Sequence, residues 1–280
     1  MKIKPLNEDK ITKDIKSEGF SIIRGFVDKN LCNKIVEDFV DSSTYKMRDT
    51  VGDGIIDSFL QLNPHVKSNI LWSITFSKEL ISLGKKILND PFYRELNKDL
   101  PNFCLNFSIL RSSGKDKLNI HRDDRNPPYS GSETTYLQCA LALDDSNRDN
   151  GCTFVVPGSH QYNVYAREEN NKVVDVDIKV GDLLIYDGRL WHGAHGNLSG
   201  KRRLNYFFGY ARWHCRPTYA FETFLPPEKL ANLSLEEKIL HGLHVRSKSS
   251  EDLNNDPYAS QRGDINFVNK NYERLKRKLL

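Results

Sequence analysis

Near residue 100 the spacing of apolar positions changes from helical to strand-like, and that change sets the expected architecture. In the charged stretch 8–17, Ile11 and Ile15 stand four apart on one helix face, and 20–24 reads as a strand. Asp28 is placed to cap a second helix whose Leu31, Ile35, Val36 and Phe39 share a side. The polar stretch 49–54 reads as a loop and 55–62 as an apolar strand. Residues 78–88 form a helix with Leu80, Ile81, Gly84 and Leu88 inward, stopped by Asn89-Asp90-Pro91. From Asn102 onward the apolar runs are short: 103–110, 118–123, 134–143, 153–156, 173–178, 183–186 and 204–213, separated by Gly, Pro, Asn and Asp. Such a series predicts a mainly β chain with flanking helices (α+β) around a double-stranded β-helix, the jelly-roll or cupin-like core. One domain is expected over 1–280, with a helical scaffold to about 100, the core over about 101–216 and an extension over about 217–280. In that extension Ser234-Leu235-Glu236-Glu237 matches a capping box, and 247–264 is polar and loop-like.

Composition narrows the class of protein. A chain of 280 residues can bury one full core. Its 38% hydrophobic content and mean hydropathy of −0.58 suit an aqueous protein. No apolar run approaches the roughly 18 residues of a membrane span, and the Lys-rich start lacks the core of a signal peptide, so a cytoplasmic location is expected. Five cysteines, Cys32, Cys104, Cys139, Cys152 and Cys215, are widely spaced and without Cys-x-x-Cys, which argues against a disulfide framework or a zinc ribbon. The net charge of +4 spread over 41 basic and 37 acidic residues leaves no footprint for nucleic acid. The cluster Arg274-Leu275-Lys276-Arg277-Lys278 reads as a solvated helix end. The expected partner is a small-molecule substrate.

Candidate chemistry centres on His121-Arg122-Asp123. On a strand, residues i and i+2 share a face, which brings His121 and Asp123 together and turns Arg122 away. One further histidine would complete the two-His-one-carboxylate set that holds non-haem Fe(II) on one face and leaves the other open. His192 is the candidate, delivered at the far end of the strand that begins after Gly181-Asp182. His195, in a Gly/Asn turn, reads as an exposed loop histidine, His160 in Pro157-Gly158-Ser159-His160 as a turn anchor, and His214 as facing either substrate or solvent. Arg202 and Arg203 are adjacent, so on a strand only one of them points into the barrel.

These residues resemble the phytanoyl-CoA dioxygenase family of Fe(II)- and 2-oxoglutarate-dependent oxygenases. The pattern is His-x-Asp, a long interval, His-Gly, and an Arg eleven residues on, matched by His121, Asp123, His192, Gly193 and Arg203. The segments 141–145, Asn150-Gly151-Cys152 and 157–160 look like the family's middle, and 18–26 is similar to its opening, so the resemblance runs from about 12 to about 215. It implies Fe(II), 2-oxoglutarate and O2 as cofactors and cosubstrates, release of succinate and CO2, and hydroxylation of a C–H bond. His121, Asp123 and His192 are then the metal ligands, and Arg203 binds the far carboxylate of 2-oxoglutarate. Where many relatives carry Ser or Thr this chain has Ala194, which removes one secondary contact to the cosubstrate. Arg111 falls where relatives often place a cofactor contact, although a surface arginine reads equally well, and Asn106, Gln138 and Tyr136 lie on strands that should line the site. Asp123 argues against a halogenase, which needs a small residue there.

Parity with Arg203 sends Asn205, Phe207, Gly209, Ala211 and Trp213 inward. The loop 124–132 reads as a lid or a plain surface crossing. Arg111, Arg125, Arg212, Tyr129 and Trp213 together would make a cationic, aromatic mouth suited to a small polar metabolite, an amino acid or a natural-product intermediate. The alternatives are an acyl-CoA hydroxylase of the same family and a non-enzymatic jelly-roll binding protein.

Overall fold

The computed structural model describes residues 3–40, 45–51, 54–90, 99–124, 133–162, 172–215 and 217–242. An N-terminal scaffold runs through α1 (Glu8–Glu18), β1 (Phe20–Ile23), α2 (Lys29–Val40), β2 (Tyr45–Val51), β3 (Gly54–Leu62), α3 (Asn69–Thr75) and α4 (Lys78–Leu88). The core follows as β4 (Phe103–Ser112), β5 (Leu118–His121), β6 (Tyr136–Ala142), β7 (Thr153–Val155), β8 (Val174–Asp175), β9 (Leu183–Asp187), β10 (His192–Ala194) and β11 (Leu204–Arg212). Two short helices, α5 (Pro227–Ala231) and α6 (Leu235–Leu240), come after it. All strand pairs are antiparallel, in a seven-stranded sheet of order β1-β9-β6-β11-β4-β3-β2 and a four-stranded sheet of order β5-β10-β7-β8. This is the expected jelly roll with flanking helices.

Period-two patterning divides each central strand between two cores. On β11, Tyr206, Phe208 and Tyr210 join Leu71, Ile74, Leu80 and Ile81 of the helices in the larger cluster. Phe207 faces the other way, toward Ala140, Ala142, Leu184 and Tyr186 between the sheets. With both faces covered, every residue of β6 is buried, and its inner face uses alanines where the sheets close on each other. Gly181 makes the turn into β9 at φ +87°, and a Cβ there would stand 2.1 Å from the Val27 carbonyl. The capping box at Ser234 and Glu237 forms in both directions. All five cysteines are free thiols, and no helix among the described residues is long and apolar enough to cross a membrane.

The sequence reading needs correction in three places. Residues 49–51 are not loop: they pair with 54–56 in a hairpin at the sheet edge, where polar residues are the normal way to blunt pairing with other chains. The run 173–178 contains only the two-residue β8, with Ile178 forming a separate bridge to Ser146. The strand after Gly181-Asp182 does not deliver His192. It ends at Asp187, whose carboxylate takes the Arg189 amide at 2.9 Å and its guanidinium at 2.8 Å, closing a buried turn. His192 then opens β10 in the other sheet. The helices α3 and α5 are too short to show a periodic face. The basic cluster 274–278 and the stretch 247–264 lie outside the described residues.

Candidate active site

His121 and His192 are direct cross-strand partners of β5 and β10, which brings their ring centroids to 4.3 Å. The strand stops at His121, so Asp123 reaches the site from the bend after it rather than from the same strand face. Its Oδ1 is 3.6 Å from His121 Nε2 and its Oδ2 3.6 Å from His192 Nε2. One ligand atom from each residue lies within 4.8 Å of the others. Gly193 permits this pairing, because a Cβ there would stand 2.4 Å from the Phe154 ring and 2.6 Å from the Leu118 carbonyl.

Hydrogen bonds behind the triad set its protonation pattern. His121 Nδ1 is 2.8 Å from the Asn119 carbonyl and His192 Nδ1 is 2.9 Å from the Leu190 carbonyl. A carbonyl only accepts, so each Nδ1 carries a proton and donates, which leaves Nε2 as the ring atom that can turn to a metal. Burial works to raise the Asp123 carboxyl, but the His192 and His121 imidazoles and the Tyr186 hydroxyl hold it below its ordinary value. Burial lowers His192, whereas Asp123 raises His121. Two imidazole nitrogens and a carboxylate oxygen on one side of a cavity form the donor set of a non-haem iron centre, so the residues present fit the metal.

Tyr186 is the residue that sequence reasoning did not single out. Its hydroxyl donates to Asp123 Oδ2 at 2.9 Å and stands 3.3 Å from His192 Nε2. Burial raises its pKa well above the ordinary phenol value, so it remains a donor. The available signal was parity: Tyr186 shares the inward face of β9 with Leu184.

From the triad a cavity of about 200 Å³ extends past Phe107, Ile109 and Phe207 to Arg111 and Arg203. Arg203 is 4% exposed, and its Nη2 donates to the Gly151 carbonyl. With the Asn205 amide oriented so that its nitrogen donates to the Leu204 carbonyl, its oxygen accepts from Arg203 Nη1 at 2.7 Å. Arg203 Nε has no partner among the described residues. Burial pushes this guanidinium down to about 10, and the charge of Arg111 acts in the same direction. Arg202 points away and grips Asp144 with two hydrogen bonds of 2.8 and 2.9 Å.

Other candidates are distributed unevenly. Arg111 is exposed at the cavity mouth, and Gln138 lines the cavity while its Oε1 accepts from Tyr136 at 2.6 Å. Asn106 does not line it: its Oδ1 holds Thr218 through bonds of 2.7 and 2.8 Å. Arg212 donates to the Thr134 carbonyl at 2.8 Å and faces Glu133 at 3.7 Å. Trp213 meets the exposed His214 edge-on, and neither Arg212 nor Trp213 borders the cavity. Arg212 shares the face of Tyr206, Phe208 and Tyr210, where its Nη2 lies 3.5 Å from the Ile87 carbonyl, and Trp213 follows the end of β11, so neither joins the expected mouth. Arg125 and Tyr129, and most of the lid loop, lie outside the described residues. His195 is not an exposed loop residue: it bonds Asp175 at 2.7 Å and packs on Phe154. His160 anchors its turn, 3.2 Å from the Lys16 carbonyl.

The chain is 27% identical over 207 residues to dioxygenase aneA of Aspergillus aculeatus, covering 68% of this chain and 67% of that one. It is 26% identical over 210 residues to dioxygenase olcK of Penicillium canescens, covering 70% and 67%. Among solved structures, the α-ketoglutarate-dependent epimerase SnoN of nogalamycin biosynthesis superposes with a TM-score of 0.58 at 18% identity, covering 75% of this chain and 86% of that one. HygX of Streptomyces hygroscopicus, solved with nickel and 2-oxoglutarate, gives 0.58 at 17% identity over 76% and 90%. The family model for phytanoyl-CoA dioxygenase matches residues 15–205. The chain therefore belongs to the phytanoyl-CoA dioxygenase family of iron- and 2-oxoglutarate-dependent oxygenases.

Proposed function

We propose that this enzyme hydroxylates a C–H bond of a small polar metabolite bearing an anionic group, an amino acid or a natural-product intermediate. The observation that supports this reading is the single cavity joining the triad to two arginines, Arg203 and Arg111, neither with a carboxylate partner among the described residues. His121, Asp123 and His192 would hold Fe(II). With 2-oxoglutarate and O2, iron held there would supply the oxidising power for C–H cleavage, one oxygen atom going to the substrate and the other to succinate with loss of CO2.

The protein's own task is orientation and exclusion of water. Arg203 pairs with the far carboxylate of 2-oxoglutarate through its free Nε edge, and its planar fork fixes the direction of the molecule. Tyr186 holds the Asp123 carboxylate toward the two Nε2 atoms. Phe107, Ile109 and Phe207 keep the middle of the cavity dry. Once Arg203 is occupied, Arg111 is the remaining arginine among the described residues lining the cavity, and it pairs with the substrate's carboxylate or phosphate.

The test is succinate release across a panel of amino acids, polar intermediates and acyl-CoA esters, with product mass recorded. A polar substrate should stimulate release and gain one oxygen atom, and Arg111→Ala should raise its KM more than it lowers kcat. Stimulation by acyl-CoA alone, or indifference to Arg111→Ala, would reject the proposal.

A further inference from the structure

A second set of metal-binding side chains converges beside the wall that carries Arg203. Cys152, Asp175 and His195 each offer one ligand atom within 4.8 Å of the others. Three adjacent strands of the small sheet deliver them: Cys152 immediately precedes β7, Asp175 ends β8, and His195 follows β10. The ladder fixes their register. Asp175 lies opposite Phe154, Ala194 opposite Thr153, and the His195 amide donates to the Cys152 carbonyl at 3.0 Å. Cys152 is fully buried and the His195 ring rests 5.0 Å from that of Phe154, so short stems and packing hold two of the three groups.

We propose that Cys152, Asp175 and His195 form a second cation site, separate from the iron triad, for a borderline-soft divalent ion such as Zn2+ or Co2+. The donor set of one sulfur, one imidazole nitrogen and one carboxylate oxygen is the kind that binds zinc, with one position left for water. Magnesium and calcium call for oxygen ligands throughout. Charge balance favours the same class of ion, since a thiolate and a carboxylate neutralise a dication. Arg148 occupies Asp175 Oδ2 at 2.9 Å and leaves Oδ1 facing the other two groups.

The contact between Asp175 and His195 needs little adjustment. Asp175 Oδ1 and His195 Nε2 stand 2.7 Å apart. Around a tetrahedral ion with bonds of about 2.0–2.1 Å, neighbouring ligand atoms are about 3.3 Å apart, so this contact opens by about 0.6 Å. Burial, with Asp175 and Asp177, pushes the Cys152 thiol up to about 12. The thiol therefore enters the reaction neutral, and its proton leaves to water as the sulfur–metal bond forms. The iron triad contains no sulfur, which makes the two sites separable by spectroscopy.

The experiment is an anaerobic Co(II) titration of the metal-free full chain, following bound metal and the near-ultraviolet sulfur-to-cobalt charge-transfer band. Two cobalt ions per chain are expected, the band growing with one of them. Asp123→Ala should lose an equivalent and keep the band, whereas Cys152→Ala should lose the band and keep the triad's equivalent. Asp175→Asn, at a half-exposed position, should weaken the band's equivalent by about tenfold or more. A single equivalent without the band would overturn the proposal, as would a band that survives Cys152→Ala.

Discussion

Replacing Arg203 with methionine should separate cosubstrate binding from folding stability. Burial lowers this guanidinium to about 10. At about 1.4 kcal/mol per unit, the folded state without a bound anion disfavours the charged form by about 3 kcal/mol. Between about 10 and the ordinary guanidinium value the unfolded chain binds more protons, so stability recovers only as pH rises through that window, and at neutral pH the whole cost is present. Methionine removes that cost but strips the Gly151 carbonyl and the Asn205 amide of a donor, at about 1–3 kcal/mol for each group left unpaired. The two effects largely offset each other. Cosubstrate affinity has no such compensation, because truncating one partner of a desolvated charge pair costs about 2–5 kcal/mol, or roughly 30- to 5,000-fold. In anaerobic calorimetry with Ni(II), 2-oxoglutarate at about 100 times its Kd should stabilise the native enzyme by about 2.7 kcal/mol and Arg203→Met by less than about 1 kcal/mol. Arg202→Met, which breaks a surface pair with Asp144, should retain the full shift. A full shift in Arg203→Met, or its loss in Arg202→Met, would refute the assignment.

Three further outcomes are expected. Tyr186→Phe should weaken Fe(II) binding by about tenfold in a competition titration, since it removes only the hydroxyl that orients Asp123, and unchanged affinity would show that the hydroxyl has no such role. Gly193→Ala should lose the metal centre, because the new methyl meets the Leu118 carbonyl and forces β5 away from β10; a folded variant with normal iron affinity would contradict the packing. Acid should destabilise the end of α6, which His241 caps. Burial lowers His241 to about 4 and holds His65 well below its usual value, so both are neutral when folded. Stability is complete above about pH 6.5 and falls as pH drops toward 4, by about 3 kcal/mol for His241 alone. Melting temperatures of the enzyme and of His241→Gln should accordingly converge as the pH is lowered, and parallel curves would refute this.

Strand parity allowed only one of Arg202 and Arg203 to face inward, and the family resemblance, rather than spacing alone, pointed to Arg203. Arg202 and Arg203 do point to opposite sides of β11. The route by which ligands reach the site was less legible. Asp123 arrives from a bend and His192 from a new strand, and both depend on tertiary pairing of β5 with β10, which local propensity does not encode. The edge hairpin was hidden by its own polar sequence. The expected mouth asked two adjacent residues to face the same way: Arg212 has the parity of Tyr206, Phe208 and Tyr210, on the side of the helices, where it bonds the Thr134 and Ile87 carbonyls. Tyr186 gained meaning only when β9 was seen across from the triad, and Cys152 and Asp175 only when β10, β7 and β8 were seen side by side.

His121, Asp123, His192 and Arg203 are expected to bind iron and 2-oxoglutarate together in one cavity. The most direct measurement is an anaerobic calorimetric titration of 2-oxoglutarate into the chain with and without Fe(II), repeated for Asp123→Ala and His195→Ala. One 2-oxoglutarate per chain should bind, only with iron present, and binding should vanish in Asp123→Ala and persist in His195→Ala. Full affinity without iron, or in Asp123→Ala, would contradict the account.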